Sequence, residues 1–100
     1  MIQILLFVSI IGNLSCFASE GKRIYMTSCA KCHNTNPSKP GVIGPDIANS
    51  SLELITLKTQ KREYPKGYKP KRKTKIMPII KLSSSQITAL HEYISSFNKK

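Results

Sequence analysis

The sequence predicts a small all-α fold, and three observations carry that prediction. Ser50-Ser51-Leu52-Glu53 and Ser83 to Gln86 both fit a capping box, and each precedes a run of apolar residues. Ile87, Leu90, Tyr93, Ile94 and Phe97 recur at the three- and four-residue spacing of one helical face. No convincing strand and no internal repeat is found anywhere in the chain.

The 100 residues suffice for one domain. Met1 to Ala18 holds no Lys, Arg, Asp or Glu; it is almost unbroken apolar from Ile2 to Ile11, and Gly12 and Asn13 then interrupt it. Cys16-Phe17-Ala18 offers small residues at the −3 and −1 positions of a cleavage site, and the apolar run is short for a bilayer span. Residues 1–18 therefore read as an export signal cut after Ala18, and residues 19–100 as the finished domain. Against this, Met1-Ile2-Gln3 carries no positive side chain. Cys16 has a rival reading as a lipid-bearing cysteine, although Asn13 stands where that pattern wants leucine. The expected location is the periplasm, or the periplasmic side of a membrane if the leader stays as an anchor.

Residue Ser19 is a candidate cap for a first helix running towards His33, with Glu20 in its first turn. On a helical wheel Gly21, Ile24, Tyr25, Ser28 and Cys32 share the side expected to face the interior, and Met26 is expected to pack in the core. A close approach by another backbone accounts for Gly21, which costs helix stability. Asn34 to Pro45 is rich in Asn, Pro and Gly and reads as a loop. A second helix is expected over about Ser51 to Thr59, with Leu52, Leu54, Ile55 and Leu57 along it. From Lys58 to Lys75 nine basic residues accompany one acid, Glu63, among Tyr64, Pro65, Gly67, Tyr68 and Pro70, the composition of an exposed loop. Pro78 stops any regular element in Ile76 to Ile80 and leaves Met77 on a constrained strap. The last helix follows the Ser83–Gln86 box, and Lys99 and Lys100 at its end suit its dipole.

Within this frame one stretch carries chemistry, Cys29-Ala30-Lys31-Cys32-His33. Two thiols three positions apart lie on one face of a helical turn, with an imidazole on a neighbouring line. That spacing suits addition of both sulfurs to the vinyl groups of one haem, with the histidine turned to the iron. It also suits a redox disulfide or half of a zinc site. Zinc usually takes four ligands, and outside the motif only Cys16 and His91 are Cys or His. A thioredoxin-like dithiol would follow a strand in a βαβ pattern, which this chain lacks.

These residues resemble the class I monohaem cytochromes c over nearly all of residues 19–100. Cys29, Cys32 and His33 resemble the family's attachment site for haem c, one per chain and covalently bound. Gly44-Pro45 falls where the family has the Gly-Pro pair whose proline carbonyl accepts the imidazole N–H. Met77-Pro78 resembles the distal methionine and the proline that follows it. Gly21 and Tyr25 are similar to the glycine and aromatic of the first helix, and Leu90 and Tyr93 to their partners on the terminal helix. The resemblance implies three to four helices packed around one haem, His33 and Met77 as axial iron ligands, and Pro45 as acceptor for His33. His91 is the rival distal ligand. The chain departs from the family in having no Trp and no clear counterpart to the arginine near the haem propionates, a place Tyr64 and Tyr68 are candidates to fill.

Functionally, the resemblance implies an electron carrier rather than an enzyme, since two strong axial ligands leave the iron no open position. Net charge is +11, with sixteen basic side chains against five acidic ones, which points to acidic redox partners such as a terminal oxidase or reductase complex. Export argues against nucleic acid. The chain is expected to be a monomer and to meet a membrane only through partners or through an uncleaved or lipidated leader. The alternatives are a basic binding module with a Cys29–Cys32 disulfide, and a haem sensor or peroxidase-like protein in which the Met77 bond is labile.

Overall fold

The computed structural model describes residues 20–73 and 75–98. The leader at residues 1–18 with Cys16, the Ser19 cap, and Lys99 and Lys100 lie outside the described residues. Among these, four helical segments and no strand are present, and no helix is long and apolar enough to cross a membrane.

Residues 20–28 form helix α1. It does not run unbroken to His33: Cys29 leaves helical geometry at φ −120°, ψ −37°, and α2 follows at Ala30–His33. Two hydrogen bonds carry the chain across the break, Cys29 N to Tyr25 O at 2.9 Å and His33 N to Cys29 O at 3.0 Å. Gly21, Ile24 and Tyr25 are buried as the wheel expects, but Met26 is 42% exposed. The core reading of Met26 is thereby corrected: α1 buries only the narrow stripe that faces the last helix, and Met26 projects from another side.

Helix α3, Leu52–Lys61, begins one residue later than the Ser50–Glu53 box implies. Ser51 is the N-cap, its hydroxyl accepting from Leu54 N at 3.0 Å, so position N3 is an apolar leucine and no reciprocal bond forms. The helix also outlasts Thr59 and takes Lys58 and Lys61 out of the expected loop. Arg62 ends it at φ 57° in the left-handed region, donating its N–H to Leu57 O.

Helix α4, Ser84–Ser95, starts with the full capping box: Gln86 N donates to Ser83 Oγ at 3.2 Å and Ser83 N to Gln86 Oε1 at 2.9 Å. The Gln86 amide also donates to Glu20 Oε2 at 3.1 Å, tying the start of α4 to the start of α1. A Cβ on Gly21 would overlap the Ala89 carbonyl, so α1 and α4 cross backbone to side-chain-free backbone. Tyr25 and Tyr93 meet beside the crossing with ring centroids 5.7 Å apart. The close backbone is thus that of Ala89, while Leu90, only 1% exposed, points into the core with Ile24, Ile55, Ile87 and Ile94. α3 packs against α4.

Candidate functional site

Tyr25 anchors the start of the site: its hydroxyl donates to Asn34 O at 2.6 Å, and burial first, then the neighbouring Cys29 and Tyr93, raises its pKa. Asn34 takes φ 90° and turns the chain out of α2. The loop that follows folds back on the motif. Gly44 N donates to Cys32 O at 2.8 Å and Gly41 N to Gly44 O at 2.9 Å. A Cβ on Gly41 would overlap the Cys32 carbonyl, and one on Gly44 would overlap the His33 ring.

This fold-back sets the chemical state of His33. A carbonyl only accepts, so the 2.9 Å contact between His33 Nδ1 and Pro45 O requires the proton on Nδ1. Burial lowers the imidazole pKa, the Arg72 and Lys58 charges add to that, and the Pro45 bond opposes them. The ring is therefore held neutral, with its lone pair on Nε2, the form that binds a metal.

No disulfide joins Cys29 and Cys32. Cys29 is buried and its pKa is pushed up to about 12, by burial first and by Cys32 second, so it is an un-ionised thiol. Among the described residues no three His, Cys, Asp or Glu side chains converge on a metal position.

Cys29, Cys32, His33, Pro45 and Met77 all line one cleft of about 1070 Å³, counting its open mouth. Ile47, Leu54, Ile55, Leu90 and Ile94 supply its apolar walls. The donor set fits a large, flat, apolar group: two thiols one helical turn apart, a neutral imidazole nitrogen, and a thioether. His91 does not line the cleft, so the structure brings Met77 to the motif and not the rival.

The stretch read as a solvated loop contributes more than expected. Lys58, Tyr64, Tyr68, Lys71 and Arg72 also line the cleft. Tyr64 and Tyr68 stack with centroids 5.4 Å apart and planes 9° from parallel, and Lys58 Nζ sits 4.2 Å from the Tyr64 ring centroid. Arg72 donates to Ile43 O at 3.1 Å and Gly41 O at 3.2 Å, and Lys71 to Asp46 Oδ2 at 3.1 Å. These two cations brace the loop that packs on His33. Sequence reading missed them because charge density alone does not tell a brace from a solvated side chain. It also missed Thr59, 2% exposed and lining the cleft, whose signal was a polar residue four positions after Ile55 on the buried face of α3.

The model of the protein family described as Cytochrome c matches residues 18–98. No curated protein and no solved structure matches the chain.

Proposed function

The chain belongs to the cytochrome c family and binds one covalently attached haem c, and from that premise we propose that it is an exported carrier of single electrons rather than an enzyme. Bound haem supplies a reversible one-electron change at its iron. Cys29 and Cys32 hold the group through thioether bonds. His33 offers Nε2 to the iron, and Pro45 O keeps that nitrogen's lone pair available by retaining the proton on Nδ1. Met77 would hold the iron through its sulfur, a donor that favours the ferrous state relative to a second imidazole. The observation that carries this reading is the convergence of both thiols, His33 and Met77 on one cleft while His91 stays outside it.

The partners are acidic redox proteins such as a terminal oxidase or reductase complex, met in the periplasm by a monomer. Support comes from the sixteen basic side chains against five acidic ones, and from the basic residues that flank the cleft.

Two substitutions test the ligand assignment. Met77→Ala should abolish the weak near-infrared sulfur-to-iron band of the ferric protein and lower its reduction potential. His91→Ala should leave both unchanged. The opposite pattern, with the band lost in His91→Ala and kept in Met77→Ala, overturns it.

A further inference from the structure

The Met77 strap has no regular structure and buries little of its own apolar surface: Ile76 is 63% exposed and Ile79 50%. Burial of these side chains is therefore a weak source of hold on the segment. What does hold it is the end of α3. Ile80 N donates to Thr59 O at 2.9 Å, satisfying one of the carbonyls that a helix C-terminus leaves without an internal partner. The Gln60 amide donates to Ile80 O at 2.7 Å, so both backbone groups of Ile80 are taken by two consecutive residues of α3. On the other side of Met77, Arg62 Nη2 donates to Lys75 O at 2.6 Å.

The Gln60 amide is itself oriented. It donates to Thr59 Oγ1 at 2.9 Å, and that hydroxyl donates to Ile55 O at 2.8 Å inside the core. Arg62 is aimed by the left-handed turn it occupies at the end of the helix. Met77 thus lies between two anchored points, two residues after one and three before the other, and both are held from the C-terminal end of α3 and its Arg62 cap.

We infer that the C-terminal turn of α3 clamps the strap on both sides of Met77, with Gln60 and Arg62 as positioning residues that set how readily the methionine sulfur leaves the iron. The inference rests on Met77 as the axial ligand proposed above. An external ligand binds the iron only in the fraction of molecules whose sulfur has swung away, so its apparent affinity reports that fraction.

The test is titration of the ferric holoprotein with imidazole, followed through the visible spectrum. Gln60→Met keeps the side-chain length and removes the amide donor. Arg62→Asn removes the guanidinium with a residue that accepts the left-handed backbone. Each should tighten imidazole binding roughly threefold to tenfold, the change expected when one hydrogen bond restraining the closed state is lost. The ligand-free spectra should keep the sulfur band. Ser83→Ala, which weakens the cap of α4 and removes neither clamp bond, controls for general loosening and should leave imidazole affinity unchanged. Wild-type affinity in both clamp variants, alongside much tighter binding in Met77→Ala, overturns the clamp and leaves the ligand assignment standing. An equal shift in Ser83→Ala also overturns it, because loosening alone then explains the effect. Unchanged affinity in Met77→Ala removes the ligand assignment and the clamp with it.

Discussion

Gly44 shows how a residue with no side chain builds a site. The space its Cβ would fill belongs to the His33 ring, and its neighbour Pro45 fixes that ring through Nδ1. Gly44→Ala should destabilise the holoprotein by about 1–3 kcal/mol, as overpacking does, and shift its reduction potential. Gly67→Ala should cost only the strain of its left-handed φ of 82°, with the potential unmoved, since nothing lies within 4 Å of a Cβ there. Thermal melts and redox titrations of the two variants check the contrast. Asp46 makes a pH-dependent contribution. The Lys71 bond, more than any other influence, holds its carboxyl below the ordinary range, while partial burial opposes. Stability from a lowered carboxyl pKa is complete above the unfolded value of about 3.9 and is lost as pH falls through the folded one. Both side chains are substantially exposed, so wild type should exceed Asp46→Asn by at most about 1 kcal/mol at neutral pH. The difference should close in acid. Denaturant midpoints at the two pH values measure it, and a gap that persists in acid contradicts the assignment.

At the scale of elements, two features of α4 should respond differently to substitution. Its start is local: the Ser83–Gln86 box lies within four residues, and Ser83→Ala should cost about 1 kcal/mol. For a domain of this size that is a fall in midpoint of roughly 4–8 °C. Its crossing with α1 is not local, because Gly21 meets a carbonyl that belongs to a packed helix and has little room to give. Alanine gains about 1 kcal/mol of helix propensity over glycine, but a Gly21→Ala side chain would overlap the Ala89 backbone, so the net effect should be destabilising by about 1–3 kcal/mol. Calorimetry of the haem-loaded variants tests the sign. A Gly21→Ala protein more stable than wild type would show that α1 and α4 can move apart without loss. The N-terminus of α3 was misplaced by one residue for a physical reason. Either Ser50 or Ser51 satisfies a capping pattern, and the choice fell to tertiary packing, which buries Ser50 in the cleft wall.

For the whole molecule, the excess of positive charge divides into cations that hold the structure and cations that face outward. Lys71 and Arg72 brace the 41–46 loop, whereas Lys66, Lys69 and Lys73 are exposed. Steering onto an acidic partner can lift association from roughly 10⁵–10⁶ towards 10⁸–10⁹ M⁻¹s⁻¹ at low salt. Reversing Lys66, Lys69 and Lys73 to glutamate should slow electron transfer to such a partner steeply at low ionic strength. The effect should fade near 1 M salt, where screening shortens to about 3 Å. Stopped-flow rates across a salt series decide it, and a variant with the wild-type salt dependence places the docking face elsewhere. The sequence alone determined what depends on near neighbours. The thiol spacing with its adjacent histidine, the capping box of α4, the loop at Asn34 to Pro45 and the apolar face of the last helix are set by residues a few positions apart. Only the tertiary structure decided that Met26 faces outward, that Arg72 reaches back to Gly41, and that Gln60 holds Ile80. Those contacts join residues 20 or more positions apart, or depend on which side of α1 the rest of the chain covers. The physical reason is that a hydrogen bond or a buried face at such separation exists only once the intervening chain has closed, and the residue types at its two ends carry no mark of the pairing.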